Sequence, residues 1–154
     1  VDGESSPIKG DKSDLFFELV TKYIWRTLRK KIYIKTLKNK TKNEWLEWYI
    51  KKTQKLDILD TITCFKNTKN NKGCGKCQAC VRKWIAIQYY NLKNNKNINY
   101  NKYFNKNPYI YGKQYIEKYK KVLKNSLETN NFNHYSKKRC EQDLYVILNY
   151  EKEK

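Results

Sequence analysis

The chain has no methionine, and its 15 Asp and Glu are outnumbered by 34 Lys and Arg. Starting at Val1 and lacking methionine, it is expected to be a processed product or part of a longer sequence. No apolar run is long enough to cross a bilayer and no signal-peptide pattern opens the chain, so no membrane partner is expected. No internal repeat is present. Acidic residues are too few to balance the lysines, which leaves a formal charge of +19 and a pI near 9.7. Such a surface gains from counterion release on a polyanion, so nucleic acid is an expected partner. The competing reading is a solvated lysine surface from an AT-biased genome, which also over-uses Asn, Ile and Tyr.

Apolar residues make up 39% and aromatic residues 15% of the 154 positions, enough for a modest core and too many for a disordered chain. Residues 1–12 read as a loop. Ser13 is placed to cap a helix with Phe16, Leu19, Val20, Tyr23, Ile24 and Thr27 on one face. Ile32 to Lys35 read as a short strand. Thr41-Lys42-Asn43-Glu44 is a capping box that opens a helix to about Thr53. A further helix is expected from Gln78 to about Leu92. Residues 93–108 are rich in Asn, Lys and Tyr and read as a linker outside the core. Beyond it, Tyr111, Tyr115, Tyr119, Leu123 and Leu127 step by four along an amphipathic helix with a basic outer face, and Leu144 to Leu148 mark a last helix.

Five cysteines are present, four of them bunched: Cys64, then Cys74, Cys77 and Cys80. Two overlapping C-x-x-C pairs with a fourth thiol ten residues upstream have the spacing of a closed tetrahedral thiolate site for structural Zn²⁺. A dithiol redox pair needs no third and fourth thiol beside it. Bunching at metal spacing also argues for a reducing, cytoplasmic-type compartment, or a virion or organelle interior, over a disulfide framework. Lys72, Lys76, Arg82 and Lys83 crowd the segment and would offset the negative charge of four bound thiolates. With Lys113, Lys120 and Lys124 they are the candidate phosphate or nucleic-acid contacts. Tyr and Lys interleave over Tyr100–Lys106 and Tyr109–Lys124, so rings could stack on bases while ammonium groups meet phosphates. Cys140 reads as a buried helix residue, and His134, the single histidine, as a surface one. A free-standing zinc-finger regulator fits poorly, because the helix after Cys80 offers few side chains for base edges.

The string Thr61-Ile62-Thr63-Cys64-Phe65, followed by Cys74-Gly75-x-Cys77-x-x-Cys80-x-Arg82-x-x-x-Ala86, resembles the C-terminal half of the 7-cyano-7-deazaguanine synthase (QueC) family. There, T-x-S-C-Y and C-G-x-C-x-x-C-x-x-R segments supply four zinc ligands, and a Ser/Thr-Lys-x-Glu helix start precedes them, as Thr41 to Glu44 does here. Asp11 and Phe16 are similar to an acidic and aromatic motif further upstream, where Lys12-Ser13-Asp14 replaces the family's Cys-Arg-Pro. After Cys80 the family's arginine position holds Lys83, with Arg82 one place early. The resemblance covers roughly residues 1–91. It implies an α/β fold: the C-terminal part of a PP-loop, doubly wound, adenine nucleotide alpha hydrolase-like fold, helix-rich, with a four-cysteine zinc lobe and an added helical C-terminal extension. The division expected is 1–92 for the family-like half with the lobe at 61–92, 93–110 for the linker and 111–154 for the basic extension.

The resemblance also implies ATP-dependent conversion of 7-carboxy-7-deazaguanine to the nitrile, on the way to queuosine-type nucleosides. No S-G-G-x-D-S phosphate loop occurs in the chain, so ATP would bind only where a PP-loop partner supplies its site, and no catalytic residue is assigned. The two functions expected are a zinc-bearing portion of such a synthase, needing a partner, or a non-catalytic, zinc-stapled basic protein in a virion or ribonucleoprotein assembly.

Overall fold

The computed structural model describes residues 14–32, 40–61, 64, 66, 72–132 and 135–152. Among the described residues six α-helices are seen: α1 (Asp14–Leu28), α2 (Lys42–Thr53), α3 (Gln78–Asn94), α4 (Pro108–Tyr111), α5 (Lys113–Glu128) and α6 (Lys137–Lys152). Single 3-10 turns lie at Asp57–Asp60 and Tyr100–Tyr103. The helix-rich expectation holds. The doubly wound sheet does not appear among the described residues, whose only β pairing is an isolated parallel bridge between Gly73 and Phe104. Tyr33 to Lys35 of the expected strand, the Ser13 cap and His134 lie outside the described residues.

α3 is the axis of the core. Val81, Trp84, Ile85 and Ile87 are each at most 1% exposed, and they point in several directions around the helix, as in a helix enclosed on most sides. α2 packs on it through Leu46 and Ile50, while Trp48 of α2 stays exposed. The capping box forms as read: the Glu44 amide donates to Thr41 Oγ1 (3.3 Å) and the Thr41 amide to Glu44 Oε2 (3.2 Å). On the other side, α5 and α6 form an antiparallel pair that buries Ile116, Tyr119, Leu123, Cys140, Val146 and Ile147. Tyr109, Tyr150 and Trp84 stack edge and face, with centroids 4.5–5.5 Å apart. α1 is different. Leu15, Phe16, Leu19, Tyr23, Trp25 and Leu28 all remain exposed along it.

A buried polar cluster joins α2 to the C-terminal pair. The Asp143 carboxylate accepts from Asn43 Nδ2 (2.7 Å), Tyr119 Oη (2.6 Å) and Arg139 Nε (3.3 Å). A buried carboxylate is tolerated when its lone pairs are filled this way. Burial, with the Asp143 charge beside it, pushes the Tyr119 phenol up. Alongside, Thr41 Oγ1 donates to Gln142 Oε1 (2.6 Å), and Lys138 pairs with Glu44 (2.6 Å).

The expectation that residues 93–108 stay out of the core is corrected. Tyr103 and Phe104 are 8% and 4% exposed. Two apolar rings buried against α3 outweigh the polar composition of the residues around them.

Candidate metal centre

The thiols are brought together by two backbone devices. Cys77 is the N-cap of α3 and Cys80 lies in its first turn, so two sulfurs sit at the positive end of the helix dipole, which favours thiolate. Gly75, at φ +72°, turns the chain back between Cys74 and Cys77; a Cβ there would lie 1.8 Å from the Lys106 carbonyl oxygen. Only glycine suits that combination. Gly73 donates to the Tyr103 carbonyl (2.9 Å), and its own carbonyl accepts from Asn105 (2.8 Å).

The sulfurs of Cys64, Cys74, Cys77 and Cys80 all lie within 4.8 Å of one another. Three separations are 3.8 Å (Cys64–Cys77), 3.9 Å (Cys74–Cys80) and 3.5 Å (Cys77–Cys80). Tetrahedral metal–sulfur bonds of about 2.3 Å set sulfurs about 3.8 Å apart, whereas a disulfide needs about 2.05 Å. The spacing therefore fits a shared ion, and none of the five cysteines is in a disulfide. Amides surround the cluster: Lys66 and Cys74 donate to Cys64 Sγ and Lys76 to Cys74 Sγ, each at 3.4 Å. Burial works to raise the Cys74 thiol. The amides of Lys76 and Cys77 and the Cys64 and Cys77 sulfurs outweigh it and bring Cys74 down to about 7. Burial first, then the adjoining Cys77 and Cys74 sulfurs, pushes the Cys80 thiol up against the opposing Gly75 amide. A bound cation reverses that repulsion.

The candidate cationic contacts part company. Lys83 turns inward: its Nζ donates to the carbonyls of Leu59 and of Thr61 (2.9 Å for the latter) and lies over the Tyr103 and Phe104 rings. Burial lowers its pKa. Arg82 donates to Tyr135 Oη and lies over the Tyr119 and Tyr135 rings. Lys120 is paired with Glu151 (2.6 Å). Lys76, Lys113 and Lys124 are exposed, and Lys72 is half-buried. Sequence reasoning missed Tyr103 and Phe104 as the wall behind the cysteine loop. No local signal marks them, because their contacts lie some thirty residues away along the chain.

A four-cysteine cluster mounted on a helix start, with sulfur at all four corners, is of the class that could hold a metal ion. The family model of the queuosine biosynthesis protein QueC matches residues 9–91, and the chain belongs to that family. No curated protein and no solved structure matches it. Among the described residues no helix is long and apolar enough to cross a membrane.

Proposed function

We propose that the four thiolates hold one structural Zn²⁺, and that the chain is the zinc-bearing portion of a 7-cyano-7-deazaguanine synthase-like protein. It would act in ATP-dependent nitrile formation only with a PP-loop half supplied by another segment or polypeptide. The observation that carries this is the convergence of four sulfurs at tetrahedral spacing within the family-matched residues. Zinc supplies cross-linking here, not Lewis-acid chemistry, since the four protein sulfurs fill its coordination. Cys64 is thereby tied to the start of α3, and Lys83 ties Leu59 and Thr61 to the same helix. Arg82, turned onto Tyr119 and Tyr135, supports packing and leaves substrate orientation to the partner half. Elemental analysis of the purified chain is expected to find one zinc per molecule, and Cys77→Ser to lose it. The chain alone is expected to release no pyrophosphate from ATP. A metal-free preparation with a full thiol count overturns the zinc centre, and pyrophosphate release overturns the need for a partner.

A second reading is a zinc-stapled basic structural protein that contacts nucleic acid in a larger assembly. It is favoured by the exposed Lys113, Lys118, Lys121 and Lys124 on α5, outside the family match. Glu117 and Glu128 interrupt that face, which limits its field. Binding to single-stranded RNA or DNA should weaken steeply with added salt; salt-indifferent binding counts against this reading.

A further inference from the structure

Beside the C-terminal half of α3, a groove of about 380 Å³ opens between Tyr90 of the helix, Leu56 and residues 96–103. Its size is at the small end of the range that ligand sites occupy, roughly 300 Å³ upward. Tyr90, Ile98 and Tyr103 form its walls, and Lys96, Asn97, Asn99 and Lys102 also line it.

The groove is held in shape. Buried Asn91 accepts from the Ile98 amide (3.0 Å) and donates to the Ile98 carbonyl (3.3 Å), and its own carbonyl accepts from the Lys96 amide (3.0 Å). The segment that carries the lysines and asparagines is therefore fixed to α3.

Two features leave polar groups of the groove available to a ligand. Tyr90 and Tyr103 are each only 8% exposed, yet neither hydroxyl has a hydrogen-bond partner among the described residues. The buried side-chain N and O atoms that lack a partner there are Arg82 Nε and Trp84 Nε1. Both tyrosine hydroxyls therefore still reach open space. Lys96, Lys102 and Asn97 have no side-chain partner among the described residues, and the Asn99 side chain is engaged only through Oδ1, which accepts from the Asn101 amide (3.1 Å).

We propose that this groove binds a nucleoside monophosphate. Leu56 and Ile98, the more exposed apolar side chains of its lining, offer contact to a planar base. The tyrosine hydroxyls and the two amides meet base edges and ribose, and the two ammonium groups meet the phosphate. Six of the eight lining positions lie beyond the family-matched residues. Tyr90 is ten residues past Cys80, about 15 Å along the helix, and no cysteine lines the groove.

The test is calorimetric titration of the full zinc-loaded chain with AMP, GMP, CMP and UMP, and separately with inorganic phosphate. At least one nucleotide should bind saturably at one site, more tightly than phosphate. Lys96→Glu with Lys102→Glu should weaken it about tenfold or more, and Tyr90→Phe a few-fold with the ring retained. Lys118→Glu with Lys121→Glu, the same charge change on α5, should leave it unaltered. Melting curves check that each variant is folded. Absence of saturable binding, phosphate binding as tightly as every nucleotide, or equal weakening by the α5 variant overturns the proposal.

Discussion

Gly75 shows how much a single position can control. Its left-handed backbone and the Lys106 carbonyl 1.8 Å from a would-be Cβ combine conformational strain with a clash against backbone, which has no flexible end to swing away. Gly75→Ala is expected to cost about 1–3 kcal/mol and to weaken metal affinity, read by thermal melting and by competition with a chromogenic chelator. Unchanged melting would mean that residues 105–107 do not press on the cysteine loop. At this scale the cysteines were legible, because C-x-x-C spacing and a helix start are local properties. So was the capping box of Thr41 and Glu44. The direction of Lys83 and Arg82 was not: each is long enough to reach solvent or to turn inward, and carbonyls at Leu59 and Thr61 or the rings of Tyr119 and Tyr135 decide the matter.

Between elements, the Asp143 cluster is what joins α2 to α5 and α6. Removing the carboxylate takes the paired charge from Nε of buried Arg139 and strips acceptors from Asn43 and Tyr119. Asp143→Ala is therefore expected to destabilise the chain by about 3–5 kcal/mol, measured by urea unfolding. A loss under about 1 kcal/mol would show that the pair behaves as a solvated one. Helices α2, α3 and α6 could be read from periodicity and caps, and Cys140 was expected to be buried, as it is. The basic amphipathic helix was read from its four-residue steps, but Tyr111 falls in the separate turn α4 and Tyr115 points outward. Stepping by four drifts around a 3.6-residue turn, and the buried stripe settles on Ile116, Tyr119 and Leu123. The Asn-rich stretch misled for another reason: two aromatic side chains carry its burial, while composition averages over their polar neighbours.

Taken whole, the molecule places its family-matched part and its C-terminal helices around one core. Trp84 and Ile147 share it, and α3 lies between α2 and α6. The four-cysteine cluster was legible, since it depends on four residues within seventeen positions. A doubly wound sheet was inferred by kinship alone and is absent from the described residues. The Gly73–Phe104 bridge then bears on how the chain can be divided. Amide and carbonyl of Gly73 both reach across to residues 103–105, so the ion's loop leans on a buttress that the family match does not include. A fragment stopped at Leu92 would keep all four sulfurs yet lose that support and uncover Trp84. It is expected to bind zinc more weakly and to be cut quickly by trypsin, whereas equal affinity and resistance would show the buttress to be dispensable. Shortening the protein to its recognisable half would thus weaken the very feature by which that half is recognised.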